Sequence, residues 1–365
     1  MTQFLIMHQT VAKHDAIGND IEKMYEILSE HFPCKVYAQN QFNTKVAYLE
    51  ESELQNWLES KETVVLYHHS VFWQQGEVLL KKCKGKIIFR YHNITPPEFF
   101  REYNNFHYEQ CLKGREQTIH LAESFPNAYW LCASQYNSQD IAELVCNENI
   151  NICAPFHKIE QWALQIPDEK VLEEILFHDV TNILFVGRVA PNKGHLMLVK
   201  VIQNYCMNFG RKIKLRIIGK FDDGLQPYND KLIDLIRQYQ LEDIIEFIGE
   251  INDATLMSYY LGSDIFLCAS EHEGFCVPII EAQFFELPII TLDSSAIPET
   301  IGDNQVVLPE NIKNFAAAIK VLAGNEQYRK YLRLQGKENF NKRFSQKQLV
   351  LKFKNIVQAW CNVKL

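Results

Sequence analysis
Short apolar runs along the chain alternate with segments whose apolar residues recur at helical spacing. In the first half, for example, one helical face carries Ile21, Met24, Tyr25, Leu28 and Phe32. Strands that alternate with helices are typical of a parallel sheet. The runs predicted to be strands in this half are residues 4–7, 35–37, 64–67, 87–91, 129–132 and 150–153.

The same alternation begins again in the second half, where the predicted strands are residues 183–186, 215–218, 245–248, 265–268, 289–292 and 306–308. We therefore predict an α/β protein with two Rossmann-like, doubly wound parallel sheets. The two domains are predicted at residues 1–157 and 181–345, with an amphipathic connector at 158–180. Residues 346–365 are predicted to form a C-terminal helix that packs back toward the first domain.

Composition supports this fold class and argues against some functions. With 365 residues, 47% of them apolar, the chain is long enough for two cores. Its 10 cysteines are scattered without a CxxC pair, as expected for reduced cysteines in a cytosolic protein. A net charge of −8 argues against general nucleic-acid binding. No signal peptide or membrane-length apolar run is found, so we expect a cytoplasmic protein.

A polar turn follows the predicted strand 265–268 and precedes a helix, a position where ligands bind to parallel sheets. Gly274 lets its backbone approach a ligand, and Pro278 suits the first turn of the helix. Glu273 and Glu281 flank the turn, which suits a ligand with hydroxyls at both ends and phosphate between them. Taken singly, Glu273 is typical of a solvated loop, and Glu281 of a first-turn acid that complements the helix dipole.

A second turn follows the predicted strand 183–186. Gly187 and Gly194 free its backbone, and Arg188 and Lys193 bring two cations to a loop that leads into a helix. These features outline a diphosphate site. Such loops often contain glycine, and surface cations are usually solvated, so this turn alone leaves the assignment open.

Together the two turns, EHEGFCVPIIEA at 271–282 and GRVAPNKGH at 187–195, resemble the donor site of retaining family-4 (group 1) glycosyltransferases. That family has the GT-B fold, in which two Rossmann-like domains face a central cleft. The resemblance implies that Glu281 binds the ribose of a nucleotide-sugar and that Glu273 binds the sugar ring. It assigns the diphosphate to Arg188 and Lys193. It places Ile248 against the base of the nucleotide-sugar. It also places these residues at the donor: Gly18, Gly187, Gly274, Phe275, Cys276 and Val277.

Cys276 departs from the family, which usually has glycine at this position. We expect its side chain to lie near the donor sugar and to restrict which sugars the protein accepts. The resemblance covers residues 182–302 well. Within that range, residues 291–299 resemble a small-residue loop of the family, although a plain N-cap followed by a helix explains them better.

The first domain resembles the family only at its loops. In the loop that begins at His14, Gly18 would let the backbone approach the donor. An ordinary helix start, capped by Asn19 or Asp20, explains the same residues.

His92 follows the predicted strand 87–91 and matches a family histidine that faces the transferred sugar. A neutral imidazole can hydrogen-bond a sugar hydroxyl. His68 and His69, also at a strand end, compete for this role. We expect no metal, because the chain has neither an Asp-x-Asp motif nor a ligand-spaced pair.

The resemblance implies a retaining, metal-independent transferase with no cofactor, which moves a sugar from UDP- or GDP-sugar to a saccharide or lipid-linked saccharide acceptor. Its catalytic residues would be His92, Glu273, Arg188 and Lys193. We expect a role in bacterial surface polysaccharide such as O-antigen. A basic run at 81–86, with Arg90, would meet anionic lipid at the inner membrane, although a solvated loop explains it too. The alternatives are a GT-B nucleotide-sugar epimerase and a non-catalytic sugar-nucleotide-binding protein.

Overall fold
The computed structural model describes residues 1–12, 15–177 and 179–365. This chain divides into two compact units. Unit 1 comprises Met1–Pro97, Phe106–Lys158 and Ser345–Leu365, and unit 2 comprises Glu98–Asn105 and Ile159–Phe344. All but the first residue of the predicted connector thus lies in unit 2. Residues 98–105, which fall inside the predicted first domain, also belong to unit 2.

Unit 1 contains a six-stranded parallel sheet with the strand order β2-β1-β3-β4-β5-β6. Its core is formed by apolar residues of these strands and of the helices between them. The strands are β1 Gln3–Val11, β2 Cys34–Gln41, β3 Thr63–His69, β4 Lys86–Tyr91, β5 Tyr129–Cys132 and β6 Ile150–Ile152. The helices are α1 Ala16–Ser29, α2 Glu51–Glu59, α3 Gln74–Leu80, α4 Asn105–Ser124 and α5 Gln135–Gln139.

Unit 2 contains a second six-stranded parallel sheet, with the order β12-β11-β10-β7-β8-β9. Its strands are β7 Thr181–Val186, β8 Ile213–Ile218, β9 Ile245–Gly249, β10 Ile265–Cys268, β11 Ile289–Leu292 and β12 Val306–Leu308. Its helices are α6 Ile159–Trp162, α7 Glu169–Phe177, α8 His195–Phe209, α9 Gln226–Gln238, α10 Asp253–Gly262, α11 Val277–Phe284, α12 Ile297–Ile301, α13 Ile312–Gly324 and α14 Glu326–Arg343. The predicted pair of doubly wound parallel sheets is confirmed.

The last helix, α15 (Gln346–Cys361), belongs to unit 1. Trp360 stacks on Tyr129 of β5 with ring centroids 4.7 Å apart, and Phe353 meets the ring of Phe156 edge-on at 5.6 Å. Lys86 donates from Nζ to the carbonyl of Trp360 at 2.8 Å. Among the helices of the described residues, none is long and apolar enough to span a bilayer.

Candidate functional site
The loops after β7 and β10 lie side by side because these strands are neighbours in unit 2. Asn192 joins the two loops. Its carbonyl accepts from the N–H groups of Glu271 and His272 at 2.9 and 3.2 Å, and its Nδ2 donates to the His272 carbonyl at 3.1 Å. The sequence pattern did not single out Asn192, because its bonds join positions about 80 residues apart.

Gly194 permits this close approach. A Cβ at Gly194 would lie 1.9 Å from the carbonyl oxygen of Ala269, and its φ of +70° lies in the left-handed region. We therefore expect Gly194→Ala to lower the free energy of unfolding by about 3 kcal/mol, from overpacking and backbone strain combined. Urea unfolding measures the change. Gly324→Ala is the control, since a Cβ there meets no atom within 4 Å; equal stability of the two variants would contradict this account.

Lys193 and Glu273 form an ion pair between the two loops. Lys193 Nζ lies 2.6 Å from Glu273 Oε1, and the side chains are 20% and 12% exposed. Burial disfavours the ammonium, but the carboxylate of Glu273 outweighs this effect and raises the pKa of Lys193. The structure thus brings two predicted site residues together, with the lysine fully charged.

Arg188 lies on the same loop but is held loosely. Its Nη1 is 3.5 Å from Asp222 Oδ2, and its side chain is 56% exposed. An exposed pair of this kind contributes little to stability. The guanidinium is therefore able to move toward an anion at modest cost.

Helix α11 begins at Val277 and has Pro278 in its first turn, as predicted. Pro278 has no N–H, and the N–H of Ile279 donates to the carbonyl of Cys276 at 3.2 Å, so it is the helix dipole that favours an anion there. The N-cap residue, Cys276, has a φ of +73°. A left-handed conformation costs a residue with a Cβ about 1–2 kcal/mol, which is the physical reason why glycine suits this position.

The Cys276 side chain does not lie where we expected it. It is buried in the core of unit 2, where its thiol is hydrogen-bonded to that of Cys268. This bond and burial raise the pKa of Cys276 well above its usual value, so the group stays a thiol. The side chain is packed beneath the loop, and only the backbone of Cys276 remains available at the start of α11.

Glu281 is the fifth residue of α11 and is 7% exposed. The alternative that it is a first-turn acid is wrong, because the first turn of α11 carries no acidic residue. The Tyr260 hydroxyl donates to Glu281 Oε2 at 2.6 Å. Burial raises the pKa of Glu281 to about 7, although the bond from Tyr260 opposes the shift. The carboxyl group therefore changes charge near neutral pH.

Residues 291–299 hydrogen-bond to the loop that contains Glu273. We had expected only a plain N-cap followed by a helix here. The Ser295 hydroxyl accepts from the N–H of Glu273 at 2.8 Å, and the Ser294 hydroxyl donates to the carbonyl of Ser270 at 2.6 Å. The N-cap of α12 is Ala296, which makes no side-chain capping bond. The expectation was wrong because the serines bond across to another loop.

The other predicted donor residues of unit 2 lie at the same edge of its sheet. Gly187 follows β7 directly, and its N–H donates to the carbonyl of Ile218 at 2.8 Å. Ile248, near the end of β9, is half-buried against the core. Gly274, Phe275 and Val277 belong to the turn before α11 and to its start.

His92 and Gly18 belong to unit 1. His92 Nε2 lies 3.0 Å from Nδ1 of His68 and 3.6 Å from Oδ2 of Asp20. Burial and the positive charge of Arg90 lower the pKa of His92 well below its usual value. The imidazole is therefore neutral at physiological pH, and its side chain is 10% exposed.

The two competing histidines are core residues. His69 is fully buried, with Nε2 2.8 Å from the Thr118 hydroxyl, and His68 is 1% exposed beneath His92. Of the three, His92 alone retains appreciable exposed surface.

Gly18 lies in the first turn of α1, where a Cβ would be 2.1 Å from the carbonyl oxygen of Ala12. The N-cap of α1 is Asp15, which accepts from the N–H of Gly18. The alternative caps Asn19 and Asp20 are wrong because the helix begins earlier, at Ala16. His14, which we included in this loop, lies outside the described residues.

The fold brings together three groups that have no ligand spacing in the sequence. Ligand atoms of Asp20, His68 and His92 lie within 4.8 Å of one another. Both Asp20 oxygens are already engaged, however, by Arg90 Nε at 2.7 Å and by the N–H of Phe156 at 2.8 Å. A cation here would sit beside the Arg90 guanidinium, so these residues fit a buried ion pair better than a metal.

The same pair corrects our expectation for Arg90. Its side chain is fully buried, so it is not part of a lipid-facing surface with the basic run 81–86. Within that run, Lys81 pairs with Glu77 at 2.8 Å.

Comparison with known proteins shows which family this part of the chain is similar to. Residues 169–339 match the family model of glycosyl transferases group 1. The O-antigen biosynthesis glycosyltransferase WclY of Escherichia coli is 23% identical over 292 residues, which are 76% of this chain and 73% of WclY. The amylovoran biosynthesis glycosyltransferase AmsD of Erwinia amylovora is 26% identical over 160 residues, which are 43% of each chain. The chain spans less than half the length of the first curated relatives that it matches.

Among solved structures, Anabaena HepE in complex with UDP and glucose has a TM-score of 0.75 at 15% identity, covering 98% of this chain and 100% of that one. A likeness at this identity shows the fold alone. Residues 169–339 are thus similar to the glycosyl transferases group 1 family, and the chain has the same fold as this structure.

Proposed function
We propose that this chain is a retaining glycosyltransferase that uses a UDP- or GDP-sugar as donor. The acceptor is a saccharide or a lipid-linked saccharide in bacterial surface-polysaccharide synthesis. The observation that carries the proposal is the Lys193–Glu273 pair beside the start of α11. It sets a fixed cation for a leaving diphosphate next to a carboxylate for sugar hydroxyls. The similarity to group 1, the name of WclY and the UDP and glucose bound to HepE support it.

The proposed chemistry follows from where charge develops. The bond from the sugar C1 to the diphosphate oxygen breaks, which leaves negative charge on the diphosphate and positive character on the ring. Lys193, Arg188 and the helix dipole at the start of α11 stabilise the diphosphate, in place of a metal. His92 keeps its predicted role of hydrogen-bonding a sugar hydroxyl, which its neutral imidazole suits.

Retention is proposed to occur by displacement on one face. Retaining glycosidases use a carboxylate nucleophile. Here the carboxylate of Glu273 is held by Lys193 at 2.6 Å, and we assign it to the sugar hydroxyls. The acceptor oxygen therefore attacks C1 on the face from which the diphosphate leaves, and the departing phosphate oxygen takes the acceptor's proton.

The ionisation of Glu281 predicts a pH dependence of donor binding. If its carboxylate accepts from the ribose hydroxyls, affinity should rise with pH through about 7, where the group loses its proton. Because the Tyr260 bond lowers this pKa, Tyr260→Phe should move the midpoint upward. Calorimetry with UDP-glucose measures the effect, since its diphosphate ester does not titrate in this range. Tyr205→Phe, on α8, is the control; a pH-independent affinity would contradict the role of Glu281.

Turnover tests the proposal as a whole. The full chain is incubated with UDP-glucose, other UDP-sugars or GDP-mannose and with saccharide acceptors, and nucleoside diphosphate release and product anomeric configuration are followed by NMR. We expect acceptor-dependent release with retained configuration, and a severe loss in Glu273→Ala. Interconversion of the sugar nucleotide without acceptor would indicate an epimerase, and binding without turnover a non-catalytic protein.

A further inference from the structure
Unit 2 contains a cavity of about 380 Å³ next to the Lys193 loop. One wall is residues 98–105, which belong to this unit. Tyr103 holds that wall in place, because its ring meets Tyr228 of α9 edge-on at 5.2 Å and its hydroxyl accepts from Lys231 Nζ at 3.1 Å. The cavity is thus built from segments fixed to one another within one compact unit.

Aromatic rings form much of the lining. Phe99, Tyr103 and Tyr228 all border the cavity. An aromatic ring has a flat apolar face, and the ring of tyrosine also carries a polar hydroxyl group. A pyranose has the matching pattern, since its C–H groups form apolar faces and its hydroxyls project from the rim.

One hydrogen-bond donor in this lining is unfilled. Tyr228 is 1% exposed, and its hydroxyl has no acceptor among the described residues. The backbone N–H groups of His195 and Leu196 point toward the Tyr228 oxygen, so they are donors and cannot accept its proton. Burial raises the pKa of Tyr228, so the hydroxyl keeps its proton. The hydroxyl is closed off from solvent in this structure, and a buried O–H without an acceptor is costly, so a ligand oxygen would satisfy it once a small side-chain movement opens the cavity wall.

The charges of the lining indicate which ligand oxygen is favoured. Glu98, Glu102 and Glu271 supply three carboxylates against one guanidinium, that of Arg101. Partial burial and Glu310 raise the pKa of Glu271. Excess negative charge repels phosphate, whereas carboxylates accept hydrogen bonds from hydroxyl groups. The lining therefore favours a neutral polyhydroxylated ligand over a nucleotide or a phospholipid headgroup.

We propose that this cavity binds a neutral saccharide unit of the acceptor. The inference rests on the proposed function and names its second substrate. Pro191 and Gly194 border both the cavity and Lys193, and Glu271 precedes Glu273 by two residues. A saccharide in the cavity would thus lie beside the loops to which we assign the donor.

Saturation-transfer NMR on the full chain tests the cavity without requiring turnover. The probes are methyl α-glucoside, methyl β-galactoside and N-acetylglucosamine, with glucose 6-phosphate as the anionic comparison. We expect signals from at least one neutral probe and at least fivefold weaker signals in Tyr228→Phe and in Glu271→Gln. Glucose 6-phosphate should give weaker signals than methyl α-glucoside. The surface variant Glu242→Gln is the matched control and should behave as wild type.

Lys193→Met separates this inference from the proposed function. It should lower donor turnover by about 10²–10³-fold while leaving the saccharide signals intact, because Lys193 does not line the cavity. If the wild-type chain binds saccharides but turns over no sugar nucleotide, the proposed function is contradicted and the cavity assignment is supported. The cavity assignment itself fails if no neutral probe binds, if Tyr228→Phe and Glu271→Gln bind as wild type, or if glucose 6-phosphate binds as well as methyl α-glucoside.

Discussion
Lys193→Met is expected to lower kcat for sugar transfer by about 10²–10³-fold, the usual cost of losing one group that stabilises developing charge. Methionine keeps the length of the side chain and removes only its cation. The rate of nucleoside diphosphate release at saturating donor and acceptor measures the effect. A kcat within threefold of wild type would mean that Lys193 does not face the leaving group.

A loss of stability must be separated from this loss of catalysis. In Lys193→Met the Glu273 side chain, 12% exposed, loses its charged partner, which is destabilising. The double variant Lys193→Met/Glu273→Gln removes both charges. We expect it to regain much of the lost free energy of unfolding in urea, but none of the activity. Recovery of activity along with stability would indicate a purely structural pair.

Acidification is expected to destabilise unit 1 strongly between pH 7 and pH 5. Burial lowers the pKa of His8 to about 4 and that of His69 to about 3, and it lowers the pKa values of His68 and His92 well below the usual value. Histidine in an unfolded chain has a pKa near 6.5, so below pH 6.5 the unfolded chain binds protons that the folded chain does not bind. The free energy of unfolding therefore decreases as the pH falls below 6.5. Each histidine contributes about 2 kcal/mol over this range, or on the order of 5–8 kcal/mol together.

Urea unfolding at several pH values, followed by tryptophan fluorescence, measures this loss, because four of the five tryptophans lie in unit 1. His69→Gln can keep a bond to Thr118 but cannot titrate, so it should reduce the loss by about 2 kcal/mol. His31→Gln is the matched control, since His31 is exposed at the surface. A stability that does not change between pH 7 and pH 5 would show that these imidazoles are not buried as described.

Local patterns were enough to predict the fold. Strand and helix periodicity is a property of neighbouring residues, so each strand of both sheets was predicted near its observed position. The turn residues around Gly194, Glu273 and Pro278 were found for the same reason, because strand, turn and helix start follow one another in the chain. Which residues of those turns bind a donor stays a prediction.

Contacts between distant parts of the chain were not predictable from these patterns. Asn192, Ser295 and Tyr260 secure the site through partners 21–80 residues away, and nothing at their own positions marks them. The docking of residues 98–105 on unit 2 is of the same kind. The burial of Arg90 depends on Asp20, 70 residues earlier, so its basic neighbours in the sequence were misleading.

The central claim is that unit 2 binds a nucleoside diphosphate through the Lys193 loop and Glu281 of α11. Calorimetric titration of UDP and GDP into the full chain tests it most directly. At pH about 8, where Glu281 is ionised, we expect one of the two to bind with micromolar affinity. The corresponding monophosphate should bind at least tenfold more weakly, and Glu281→Gln should also cost about tenfold. The absence of binding by both diphosphates, or equal affinity for monophosphate and diphosphate, would contradict the account.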